Sequence, residues 1–116
     1  MNTIKELFKR SLQEFDNGNI VKSKELAEKI IFLYDATEGY YALGLIYAVQ
    51  EQWEKSIINC LKVFEIAPNI VDNLNRLGIS FCQLGNIHKG LFFFSLGSDL
   101  GDKYCIENYN YWIKKN

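Results

Sequence analysis

The sequence predicts an all-α fold, a stack of short antiparallel helices, and three observations lead there. Apolar residues recur at three- and four-residue steps over most of the 116 residues. No stretch alternates apolar and polar residues with period two between turn clusters, so strands have no signal. Two 34-residue segments, 37–70 and 71–104, also align with one another without a gap.

Taken in order, the first helix carries Ile4, Leu7, Phe8, Leu12 and Phe15 on one stripe. Thr3 and Glu6 have the spacing of a capping box, which satisfies orphan backbone donors at a helix start. Asp16-Asn17-Gly18 ends the helix, because Gly18 can take positive φ at no steric cost. A second helix fits 20–33, with Leu26, Ala27, Ile30 and Ile31 inward and Glu25 and Lys29 paired on the outer face. Asp35 and Glu38 repeat the start spacing before a third helix rich in Tyr40, Tyr41, Leu43, Leu45, Ile46 and Tyr47. The fourth covers about 52–66 and stops before Pro68, which cannot continue it. A fifth spans about 70–84 and ends at Gly85, a sixth covers 87–100, and a seventh starts near Asp102. In that last helix Tyr104, Cys105, Tyr109 and Trp112 are expected inward.

The internal repeat is specific at the residue level. With an offset of 34, Tyr40 meets Leu74, Leu43-Gly44 meets Leu77-Gly78, and Tyr47 meets Phe81. Ser56 then meets Gly90, Cys60 meets Phe94 and Val63 meets Gly97. A more degenerate copy precedes them, in which Leu7, Ser11, Ser23, Ala27 and Ile30 take the matching places. On these residues the chain resembles the tetratricopeptide repeat family, whose pattern runs from a large residue through Leu-Gly, an aromatic and small residues to Pro. Val63 is larger than the usual Ala, and Asp102 stands where a second Pro would be. The resemblance covers about 4–104 and implies a right-handed superhelical stack in one domain: repeats at about 4–36, 37–70 and 71–104, and a capping helix at about 103–115.

Composition narrows the function classes. Thirteen basic and fourteen acidic residues leave a net charge of −1, which argues against nucleic acid or an anionic membrane as partner. The charged opening residues and the absence of a long apolar run lead to the expectation of a cytoplasmic protein. Cys60, Cys82 and Cys105 are an odd count with no C-x-x-C pair, as expected of free buried thiols. His88 is the only histidine, and Asp99, Asp102 and Glu107 read as caps or solvated charges. With no phosphate-binding Gly loop and no nucleophile elbow, neither an enzyme nor a cofactor or metal is expected.

The resemblance also implies where a partner protein would bind. The first helix of each repeat lines a groove, to which the middle repeat contributes Glu38, Tyr41, Leu45, Ala48 and Val49. The last contributes Asp72, Asn75, Ile79, Cys82 and Gln83, and the first Lys5, Phe8, Leu12, Phe15 and Asp16. The carboxylate clamp of relatives that bind acidic chaperone C-termini is missing: Arg76 occupies one of its positions, but Phe8, Leu12, Ala42 and Asp72 fill others. What the groove offers instead is an apolar half of Phe8, Leu12, Phe15, Tyr41 and Leu45, followed by Asn75, Arg76 and Ile79. Such a surface suits a peptide or amphipathic helix of another protein, unless these side chains only pack on each other. Two alternatives stand beside this reading: a homodimer through Tyr109, Tyr111 and Trp112, and a secretion-type chaperone for an exported client.

Overall fold

The computed structural model describes residues 3–115. Seven helices follow one another: α1 (Ile4–Asp16), α2 (Ile20–Tyr34), α3 (Thr37–Val49), α4 (Trp53–Ile66), α5 (Val71–Gln83), α6 (Ile87–Asp99) and α7 (Lys103–Ile113). Among the described residues there is no strand, and no helix is long and apolar enough to cross a membrane. Each helix packs on its sequence neighbours, and α1, α3, α5 and α7 also touch in succession. The result is an elongated stack, 47 × 24 × 21 Å.

The turns inside each helix pair share one geometry. The Asn19 N–H donates to the Glu14 carbonyl at 2.8 Å, and Gln52 and Asn86 donate in the same way to Tyr47 and Phe81, each at 2.9 Å. The residue before each donor is left-handed: Gly18 at φ 83°, Glu51 at φ 57° and Gly85 at φ 87°. These are Schellman motifs, which satisfy the last carbonyls of a helix by turning one residue into the left-handed region. Gly101, at φ 86°, repeats the device between α6 and α7.

The capping residues explain the other boundaries. Thr3 Oγ1 accepts from the Glu6 N–H at 3.2 Å and donates to the Glu6 carboxylate, so α1 opens at Thr3 with the Glu6 side chain bonded to the capping hydroxyl. Asp102 accepts from the Cys105 N–H at 3.0 Å and starts α7, which is why an aspartate serves where a proline would otherwise stand. At Asp35 the expectation fails. It is the left-handed C-cap of α2, at φ 46°, and its carboxylate accepts from the Tyr40 hydroxyl, while Ala36 begins α3 without a side-chain cap. Glu25 pairs with Lys22 at 3.9 Å rather than with Lys29.

Inside each pair, two small residues twelve positions apart meet where the helices cross. In the first, Ser11 Oγ donates to the Ser23 carbonyl at 2.8 Å and Ser23 Oγ donates to the Ser11 carbonyl at 2.7 Å. In the second, Ser56 Oγ donates to the Gly44 carbonyl at 2.9 Å. In the third, Gly78 faces Gly90, and a Cβ on Gly90 would lie 2.8 Å from the Gly78 carbonyl oxygen. The serines are buried, so their hydroxyls need these backbone partners to avoid an unsatisfied polar group.

The core is a strip of linked clusters along the stack. Leu7, Leu26 and Ile30 fill the first pair. Ala27, Ala42, Leu43 and Ile46 join it to the second. Ile57, Cys60, Leu74, Leu77 and Phe93 join the second to the third. Cys82, Leu91 and Phe94 hold Tyr109 and Trp112 of α7 against the end. Cys105 is fully buried, whereas Tyr104, expected inward, is 58% exposed. Helical geometry accounts for this: Cys105, Tyr109 and Trp112 share one stripe, and Tyr104 lies with Tyr111 on the opposite side.

Two substitutions check these assignments by urea or thermal unfolding. Gly90→Ala should destabilise by about 1–3 kcal/mol, because the new methyl meets backbone that cannot retreat. Glu51→Gly should stabilise by roughly 0.5–1 kcal/mol, because it relieves a left-handed glutamate and this gain exceeds the added unfolded-state entropy.

Candidate functional site

The odd-numbered helices form one face of the stack, and their second and third turns carry the side chains that sequence singled out. Phe8, Leu12 and Tyr41 line one depression of about 520 Å³, together with Thr37, Glu38, Ala67 and Ile70. That volume lies within the roughly 300–1,000 Å³ of small-molecule clefts. Phe8 meets Tyr41 edge to face, with ring centroids 5.9 Å apart.

Leu45, Asn75, Arg76 and Ile79 line a second depression of about 300 Å³. Ala48, Val49, Trp53 and Asp72 complete its wall. The two depressions adjoin through Tyr41, over whose ring the Arg76 guanidinium sits at 5.0 Å. The Tyr41 hydroxyl in turn donates to Asp72 Oδ2 at 3.4 Å, a long bond between α3 and α5. Asn75 accepts from Asn108 Nδ2 at 2.8 Å, so α7 braces the far end of this face.

The sequence-based set is therefore divided. Phe8, Leu12 and Tyr41 come together, Leu45 belongs with Asn75, Arg76 and Ile79, and Phe15 lines neither depression. Cys82, carried over as a groove position, is instead buried against the crossing beside Gly90. Reading only the first helix of each repeat missed Trp53, Ala67 and Ile70. Trp53 is the first residue of α4 and Ala67 and Ile70 belong to the α4–α5 connection; Trp53 and Ile70 are large apolar residues beside a turn, and Ala67 carries no such signal.

Arg76 stands out electrostatically. Its Nη1 is buried and makes no hydrogen bond in the geometry, although the side chain lies beside the Cys60 thiol. Among the described residues no carboxylate lies within ion-pair distance of it. Other cations sit over other rings: Lys55 over Tyr47 at 5.6 Å and, 34 residues on, Lys89 over Phe81 at 5.6 Å. A further depression near Arg10, Gln13, Glu14 and Asp16 is walled by polar side chains and offers no apolar anchor.

No protein-family model and no curated protein matches the sequence. Solved structures share its shape. A mutant of MamA superposes with a TM-score of 0.81 at 18% identity, over 94% of this chain and 65% of that one. Yeast Tom70 gives 0.82 at 19% identity, over 95% of this chain and 23% of Tom70. The C-terminal TPR-containing domain of a Plasmodium falciparum protein described as FK506-binding gives 0.82 at 15%, over 95% and 85% of the two chains. The chain thus spans less than two thirds of MamA and about a quarter of Tom70, and at these identities the likeness is one of fold.

The residues weighed for chemistry fall elsewhere. His88 is exposed on α6, and Asp102 is engaged as the α7 cap. Among the described residues no group of three or more His, Cys, Asp and Glu is placed to hold a metal ion. The three cysteines are free and buried. Burial raises the Cys60 thiol, opposed by the charge of nearby Arg76 and by side-chain contacts with Ser56 and Arg76. Burial alone pushes Cys82 up to about 11, and burial, aided by Asp102 and Asp72, pushes Cys105 up to about 12.

A raised thiol pKa in the native state means that, above the ordinary cysteine range, the unfolded chain loses protons that the folded one keeps. Stability contributed by these thiols is therefore whole below about pH 8.5 and falls as pH rises through 9 to 11. A urea titration across that range should show this decline. At pH 8 a thiol reagent such as dithionitrobenzoate should modify the native protein only at the rate of unfolding.

Proposed function

We propose that this chain, which has the fold of tetratricopeptide-repeat proteins, is a non-enzymatic module that binds a peptide or helix of a partner protein in the groove along α1, α3 and α5. In this reading the chain is one domain, with repeats at about 4–36, 37–70 and 71–104 and a cap at about 103–115.

The observation that carries the proposal is the pair of adjoining depressions, both walled in part by α3. From Gly39 to Gln50 this helix has no charged residue, yet Tyr41, Leu45 and Ala48 are only half-buried and Val49 is 58% exposed. If these side chains existed only for internal packing, they would be covered, as Leu43 and Ile46 are on the opposite side of the same helix. Partly open aromatic and aliphatic side chains beside polar groups make the kind of anchor site that receives an amphipathic segment.

A specific feature keeps self-association as a second reading. On α7, Tyr104, Tyr111 and Ile113 are each at least 43% exposed. Tyr109 and Trp112, first considered for such a contact, are instead packed against the core. A homodimer would thus use the outer side of α7 and leave the α1–α3–α5 face free.

The groove proposal is tested with Tyr41→Ala combined with Leu45→Ala. The double variant should lose capture of the partner from native extract and keep the helical circular-dichroism spectrum of the parent. Capture that survives both changes points to another surface. Sedimentation over a concentration series checks the second reading, since a monomer at all concentrations rules it out.

A further inference from the structure

We infer that the groove selects a segment carrying a basic side chain, Lys or Arg, beside a bulky apolar one, with the cation set between Glu38 and Asp72 next to Tyr41. The inference rests on the groove reading above and adds the chemistry of the occupant.

It starts from the charges that the two depressions present. Their walls hold the carboxylates of Glu38 and Asp72 and the guanidinium of Arg76. The two acids occupy matching places, 72 − 38 = 34 residues apart, each in the first turn of its helix. Asp72 lies four residues before Arg76, the order that favours an ion pair along a helix. No such pair forms. The guanidinium instead sits over the Tyr41 ring at 5.0 Å, beside the Cys60 thiol and with Nη1 buried. Its charge offsets one carboxylate, so two acids against one base leave the walls negative.

No other cation closes that gap. Among the described residues no lysine or arginine forms an ion pair with Glu38 or Asp72. Lys5, which takes their place in the first repeat, lines neither depression. A first-turn acid also suits the helix dipole, but that role is served wherever the side chain points. Glu38 is instead only partly exposed, in one wall with Phe8, Leu12 and Ile70. Tyr41 stands between the acids: Glu38 precedes it by three residues on α3, and Asp72 Oδ2 accepts its hydroxyl at 3.4 Å. A cation brought to that hydroxyl lies in the field of both carboxylates, beside apolar walls that strengthen the attraction. The alkyl stem of Lys or Arg covers the ring while its head stays in water, and the apolar neighbour fills the depression.

The probe is a display library of random peptides of about 12 residues, inserted in a loop of the carrier so that neither peptide end is free. Selection is made on the wild-type protein, with the Tyr41→Ala, Leu45→Ala double variant as counter-target. That variant keeps both carboxylates, so peptides held by charge alone are removed. Groove-dependent peptides should share Lys or Arg beside a bulky apolar residue. Changing that base to Gln should weaken binding about fivefold at low salt, and added salt should erase the difference. Glu38→Gln combined with Asp72→Asn should weaken the basic peptide by the same factor and leave the Gln peptide unchanged. Because the peptide-side change needs no alteration of the protein, a poorly folded variant does not spoil the test. Groove-dependent peptides with no basic preference, or with an acidic one, overturn this inference and leave the groove reading intact. If no groove-dependent peptide emerges, both fall together.

Discussion

The structure depends on the close approach of two helices at one point in every pair. Ser11 with Ser23, Gly44 with Ser56, and Gly78 with Gly90 occupy the same place three times over. At each, the backbone of one helix lies against the other, and only a hydroxymethyl group or a hydrogen fits. The serines also bond the facing carbonyl, so the first pair is joined by two reciprocal bonds and the second by one. The third has none and compensates by size. Phe94 takes the place of Cys60 and Ala27, fills the space over Gly78, and is fully buried.

Once the crossings are fixed, the turns and the interface between pairs follow. A Schellman turn with one left-handed residue returns the chain after α1, α3, α5 and α6. Ser80 reaches Ser56 at 3.5 Å and Asn73 donates to the Cys60 carbonyl at 2.9 Å, tying α5 to the pair before it. Gly97 leaves room for Cys105, so the last helix docks as closely as the others. A core made of linked clusters rather than one centre is what such a stack produces, since each unit touches only its neighbours.

The same constraint shapes the groove. Because Leu43, Gly44 and Ile46 must face inward, the other residues of α3 are turned to the open face, where Tyr41 and Leu45 lie a turn apart. Arg76 follows from the next pair: its neighbours Leu77 and Gly78 are committed to the core, and its guanidinium is left against Tyr41. The open face is thus the complement of the packing face, which is why one helix can be wholly free of charge between its ends and still be half open.

By itself the sequence determined the helical class, the seven elements to within a residue or two, and the small residues at the crossings. These rest on local physics: apolar spacing, Gly18 and Gly85 at turns, Pro68 as a stop, and the exclusion of side chains at Gly44 and Gly78. The tertiary structure alone decided how the open face divides, placing Leu45 with Arg76 and leaving Phe15 outside both depressions. It also buried Cys82, turned Tyr104 outward and made Asp35 a helix end instead of a start. Each of these depends on the angle at which one helix meets another, and that angle is set by all the crossings together, which a repeat spacing of 34 does not encode.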